Sequence, residues 1–350
     1  MKYKLTILWQ ALLMIGGLTS CEYIHEDLEP CPSGLRLTFE YDYNLHRSDM
    51  FADHVGSVTV YLFDDAGSFL FSQTENGDVL AQDGYEMNLE LPPGKYSYVV
   101  SALQRPYEET LMDGANFIRT EPLIGESMEI LTHELGHNEI THCVEHEGLP
   151  LDTLWHGMRV KPIEVKIDQI TRDTVSLMRN TKQISVSLRE IDDPSRIDVD
   201  KYDFRILDRN ARLLWNNSVD ESDTIIYTPY ATHNSEDRTK SGTEEGIGRM
   251  AHADFMTSRI LYHDKAEDDA ILSITNRETG VEVIRINLAD MLSRLRTAAD
   301  IYRYSPQEFL DRGHDYQLTF FLKGDTWEYV NVEISVLSWA KRIQYETIGE

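Results

Sequence analysis

From residue 34 onward, apolar and polar positions alternate in short runs. Leu35, Leu37, Phe39 and Tyr41 are interleaved with Arg36, Thr38, Glu40 and Asp42, the two-residue period of a strand that buries one face. Val58-Thr59-Val60-Tyr61-Leu62-Phe63, the turn Asp64-Asp65-Ala66-Gly67 and then Phe69-Leu70-Phe71 predict a hairpin. A further alternation over 85–91 meets the Pro92-Pro93-Gly94 turn, and a β-branched and aromatic run follows over 95–102. Strands at this spacing, with no helices between them, predict an antiparallel sandwich.

A second set of strands is predicted over 159–167, 174–178, 183–188, 202–207, 271–275, 281–286, 316–322 and 329–339. The polar stretch 231–250 reads as a long mobile loop. Two short helices are expected. Leu288, Met291, Leu292 and Leu295 fall at helical spacing, and Ser305-Pro306 with Glu308 has the form of a capping box. The division between the two sets is placed at Trp155-His156-Gly157.

The start of the chain has a different pattern. Lys2 and Lys4 precede an apolar run over 5–17, too short for a membrane span, and Leu18-Thr19-Ser20-Cys21 resembles a bacterial lipobox. The expected organisation is a lipoprotein signal over 1–20 and an acidic tether over 21–33 behind a lipidated Cys21. Two sandwiches follow, over 34–157 and 158–350. Acyl chains on Cys21 would suffice for stable membrane attachment without a membrane span.

Composition narrows the function. The 350 residues hold 33 Lys and Arg against 60 Asp and Glu, a net charge of −27, which excludes a nucleic-acid binder that neutralises phosphates with a basic face. There is no phosphate loop and no nucleophile elbow. The sharpest catalytic signal is His133-Glu134-Leu135-Gly136-His137, a match to the HExxH pattern in which two histidines one helical turn apart bind zinc and Glu is the base. Ile140 and Cys143 stand where an extended zinc motif places Gly and His, and Gly136 interrupts the helix the motif needs. A lipid-anchored zinc metallopeptidase is therefore the weaker alternative, and a glycan-binding surface lipoprotein is a third. His156 is expected to be a packed or hydrogen-bonded interface residue. With Cys21 lipidated, Cys31 and Cys143 are the remaining thiols, and an oxidising compartment favours their pairing.

Several blocks together carry a family resemblance: residues 31–44, 55–64, 154–157, 177–182, 304–312 and 337–339. In this order behind a lipobox, they resemble the FimB/Mfa-type fimbrial subunits of Bacteroidales, the lipoproteins of type V fimbriae. The resemblance implies an all-β fold of two tandem transthyretin-like Greek-key β-sandwich domains, with short helices in the second. It implies no enzymatic activity and no cofactor. It also implies a surface-exposed outer-membrane lipoprotein that anchors or caps a fimbria, limits its length and engages fimbrial shaft subunits by donor-strand exchange. Shaft subunits of this kind are cut after an arginine near the first strand, and Arg47 is the matching position here. An anchor would keep that strand and offer its C-terminal edge, where Ile343, Tyr345 and Thr347 alternate with Gln344 and Glu346.

Overall fold

The computed structural model describes residues 33–237, 248–297, 303–324, 326–336 and 339–346. The alternating segments become strands whose apolar face is closed off from water. One layer of the first sandwich is a five-stranded sheet in the order β10 (Met178–Arg179), β8 (Leu154–Val165), β5 (Gly94–Leu103), β2 (Ser57–Phe63) and β3 (Phe69–Asn76). The other is a three-stranded sheet in which β1 (Gly34–Glu40) lies between β4 (Met87–Leu89) and β9 (Ile170–Ser176). Between them is a core containing Leu35, Leu37, Val58, Val60, Leu62, Val100 and Trp155.

The second sandwich has a six-stranded sheet in the order β16 (Ala231–Asp237), β17 (Gly248–Thr257), β11 (Lys182–Glu190), β20 (Asp315–Lys323), β21 (Thr326–Val336) and β22 (Trp339–Glu346). Its four-stranded layer runs β15 (Ile225–Tyr227), β12 (Tyr202–Asp208), β18 (Ile271–Asn276) and β19 (Glu282–Asn287). Most pairings are antiparallel, but β1 runs parallel to β9, and β11 parallel to β20. The helices Leu288–Ser293 and Pro306–Arg312 belong to this half. Ser305 caps the latter by accepting from Glu308 N at 3.1 Å, while the Glu308 carboxylate accepts from Arg312 at 3.0 Å. Two single-turn helices, Phe51–His54 and Tyr107–Thr110, also occur in the first half.

The all-β, two-sandwich expectation holds, with three corrections. First, the boundary at 157/158 falls inside β8, and β8, β9 and β10 all pair within the first sandwich. The chain crosses at 180–181, where Asn180 N donates to Leu154 O at 2.8 Å. The Trp155-His156-Gly157 block is tightly packed because it lies at a contact, not because a domain ends there. Second, the predicted mobile loop contains a hairpin, with Ala231–Asp237 paired along Gly248–Asp254. Its polar composition reflects a sheet edge with little to bury. Third, a small sheet joins the halves. In it β14 (Val219–Asp220) and β13 (Arg212–Leu214) continue onto β7 (Thr132–Leu135) and β6 (Phe117–Thr120).

Candidate functional site

The first strand is the element on which assembly chemistry would act. Leu35, Leu37, Phe39 and Tyr41 are all buried. Burying four such side chains is worth about 1.5–3 kcal/mol each. β1 is hydrogen-bonded along both edges, Leu35–Leu37 to β4 and Gly34–Glu40 to β9. Phe39 stacks on Phe51 at 5.7 Å. On the outer face, Arg36 and Arg172 flank Glu86 at 3.3 and 2.8 Å and hold its carboxyl below the usual range, mainly through the Arg172 contact.

Past the strand, the backbone turns over a loop with Arg47 at its exposed apex, at φ +54°. The loop is pinned from inside. Asn44 Nδ2 donates to Tyr41 O at 2.7 Å and to Ser48 O at 2.9 Å, and Asp49 accepts from Tyr41 N at 2.8 Å. Tyr41 then reaches the second sandwich, its hydroxyl 3.2 Å from His314 Nδ1. Trp155 meets the Tyr41 ring edge-on at 5.7 Å. Burial, with Arg179 and Lys182 nearby, pushes the His314 pKa well below its ordinary value.

The junction continues as a polar seam. Lys182 is buried and its Nζ donates to Arg179 O, Asp311 O and Gly313 O at 3.4, 3.0 and 2.7 Å. Burial pulls this ammonium down to about 7, while the three carbonyls match its three donors. Arg259 forks onto both oxygens of Asp311 at 2.8 Å and also donates to Asn217 O. Asn180 and Asn217 exchange amide bonds of 2.6 and 3.2 Å. His156 Nε2 donates to Trp215 O at 2.9 Å, so the expectation of a hydrogen-bonded interface residue is met. Gly157 sits where a Cβ would come within 2.6 Å of Val175 and 2.9 Å of Leu177, so only glycine lets β8 lie this close to the β9 layer.

The zinc motif does not survive folding. Its first three residues lie in β7, not on a helix, so the two-residue period turns His133 and Glu134 to opposite faces. His133 is buried against Ser101 Oγ at 2.9 Å, and burial pushes its pKa down to about 3. Glu134 faces water, and His137 Nδ1 donates to Leu135 O at 3.0 Å. Among the described residues, no three His, Cys, Asp or Glu side chains gather to hold a metal ion. Cys143 is half-buried, with Sγ 3.6 Å from Thr141 O. Cys21 and Cys31 lie outside the described residues.

At the other end of the chain, β22 pairs with β21 from Val336↔Trp339 to Tyr329↔Glu346 and closes the six-stranded order as an edge. Thr347 lies outside the described residues. The pattern reading missed the joining sheet, whose strands are two to four residues long. One signal was present: the Asn216-Asn217 pair between β13 and β14, where Asn217 takes φ +64°.

No helix among the described residues is long and apolar enough to cross a membrane. Several solved structures share the architecture. A candidate adhesin from Bacteroides thetaiotaomicron is 27% identical with a TM-score of 0.75, over 91% of this chain and 100% of that one. A candidate polysaccharide-binding protein from the same organism is 28% identical with a TM-score of 0.66, over 89% and 98%. The fimbrial anchor protein Mfa2 from Porphyromonas gingivalis is 17% identical with a TM-score of 0.61, over 89% and 99%, and shares the fold. A search of curated protein sequences finds no match. The family model for fimbrillin-A associated anchor proteins Mfa1 and Mfa2 matches residues 28–345, nearly the whole length in which these strands and their junction lie, and the chain belongs to that family.

Proposed function

We propose that this protein is a lipoprotein of the outer-membrane surface, held by acyl chains on Cys21, that ends a type V fimbria. On this reading it keeps its own first strand and offers β22 to a shaft subunit by donor-strand exchange. The observation that carries the reading is the state of β1, paired on both edges and buried along one face. A filled groove accepts no donor, so the chain is extended from one end only and growth stops there. The edge position of β22 supports the same polarity, because an edge strand presents unpaired backbone groups to a partner. A Cys31–Cys143 disulfide would add a covalent tie between the tether and the loop after β7. A glycan-binding role has less support: the exposed large apolar side chains among the described residues include no aromatic ring of the kind a sugar stacks on.

N-terminal analysis of the subunit taken from assembled fimbriae tests this. A blocked, acylated Cys21 is expected. A free terminus at Ser48 would mean that cleavage after Arg47 removes β1 and the lipid together, making the protein an extendable shaft subunit.

A further inference from the structure

Strand directions place several separate segments at one end of the first sandwich. Phe63, Phe69, Gly94 and Val165 lie at the same end of the five-stranded sheet, through the pairs Phe63↔Phe69, Phe63↔Ser97 and Gly94↔Val165. The turn after Val165 leads into β9, whose Ile170 pairs with Gly34, so β1 also begins at this end. The second sandwich meets the opposite end, where the Tyr41 hydroxyl, just past the end of β1, lies 3.2 Å from His314 Nδ1, just before β20. Thus the described chain enters the first sandwich at the end remote from the second.

That entry end is unusually apolar at its tips. Five large apolar side chains are at least 70% exposed among the described residues, and three of them are here: Leu123 (72%), Ile124 (82%) and Ile167 (70%). The loop bearing Leu123 and Ile124 is clipped to the start of β3 by Phe69 N to Glu126 O and Gly125 N to Phe69 O, both 2.8 Å. Its own turn is closed by Glu126 N to Leu123 O at 2.9 Å and by the Glu126 carboxylate on Leu123 N at 2.7 Å. The two side chains are therefore presented by a fixed loop. Ile167 stands at the tip of the β8–β9 turn.

We propose that this end of the first sandwich rests on the membrane surface, with Leu123, Ile124 and Ile167 inserted among the lipids. The inference depends on the lipid anchor proposed above. Thirteen residues, 21–33, connect Cys21 to β1. Their reach is at most about 45 Å even when fully extended, so the end carrying these side chains stays within that distance of the bilayer and can rest on it. Apolar tips held against a lipid surface gain from burial in the interface as amphipathic elements do. The carboxylates of Asp65, Glu90 and Asp168 at the same end outnumber the ammonium groups of Lys95 and Lys166, so a zwitterionic rather than an anionic surface is the expected partner.

The test uses the full lipidated protein in phosphatidylcholine vesicles, with or without brominated acyl chains. Tryptophan is introduced singly as Ile124→Trp, Ile167→Trp and, as a control, Ile140→Trp, which is equally exposed but lies between β7 and β8, near the second sandwich. Because Trp155, Trp215, Trp327 and Trp339 also emit, each variant is read as its difference from the wild-type protein: the added emission of the 124 and 167 variants is expected to be quenched in brominated vesicles, and that of the 140 variant to be unchanged. Equal behaviour at all three positions, with the protein floating on the vesicles, would overturn the membrane contact and leave the anchor intact. Failure to float would remove the lipid-anchor reading and this inference with it.

Discussion

β1 and β22 are both strands of alternating pattern near a chain terminus, yet β1 is paired on both sides and β22 on one. β1 fills a groove that its own chain creates, whereas β22 leaves an edge for another chain. On the proposed role, this contrast would close the fold to polymerisation at its start and leave it open at its end. It rests on the neighbours that lie beside each strand among the described residues, β4 and β9 in one case and β21 in the other.

The largest effect should come from breaking the closed strand. Leu37→Asp places an unpaired charge at a fully buried site and should cost more than about 4 kcal/mol, collapsing the first sandwich in urea denaturation. Removing residues 339–350 should leave both sandwiches folded by circular dichroism while abolishing capture of a shaft subunit. If both changes unfold the protein alike, the asymmetry is wrong.

Acid should separate the two halves next. Burial holds His133 and His156 neutral in the native state, with pKa values down at about 3 and about 4 against an ordinary 6.5. Unfolded histidines take up protons first, so junction stability is present above pH 6.5 and is lost as pH falls toward about 4, by a few kcal/mol. Asp208 in the second sandwich has the opposite sign. Burial raises its pKa to about 7, so its protonated native form favours folding as pH falls below that value. Calorimetry should show one transition at pH 7 and two at pH 4.5, the second sandwich melting later. A single transition at both would rule out this division.

A smaller cost is expected from Gly157→Ala. Its new Cβ would press on Val175 and Leu177, and overpacking of this kind costs about 1–3 kcal/mol, read as a lowered urea midpoint with an unchanged slope. The smallest effect is expected from Glu134→Gln on the exposed face of β7, which should change neither fimbrial attachment nor stability measurably. Loss of bound zinc and of peptidase activity in that variant would restore the enzyme reading.

Legibility followed burial. β1, β11 and β18 were legible because one face of each repeats every second residue, β2 and β5 because they are β-branched and aromatic runs bounded by turn residues, and the Ser305 cap because its chemistry is local. The hairpin around 231–254 was not, since its outer strand borders water and Thr232, His233 and Asn234 are exposed polar residues. Nor was the junction. Lys182, Asn180 and Arg259 carry no sequence pattern that marks them as buried, and only the arrival of Gly313, Asn217 and Asp311 from distant segments explains their burial. Conversely, HExxH was legible and misleading, because spacing suited to a helix means nothing on a strand. The residues that would carry the lipid and half of the disulfide, Cys21 and Cys31, were named from the sequence and lie outside the described residues.

The parallel partnership of β1 and β9 also orders events in time. The hydroxyls of Thr38 and Thr174, 2.8 Å apart, are separated by 136 positions along the chain. A chain threaded across a membrane from its N-terminus delivers β1 long before β9, and loop closure over such a span is slow. During that interval β1 is a newly exported apolar strand with an open edge, a state prone to wrong pairing. The strand that ends up paired on both edges would therefore be, during biogenesis, the part most dependent on protection from other chains.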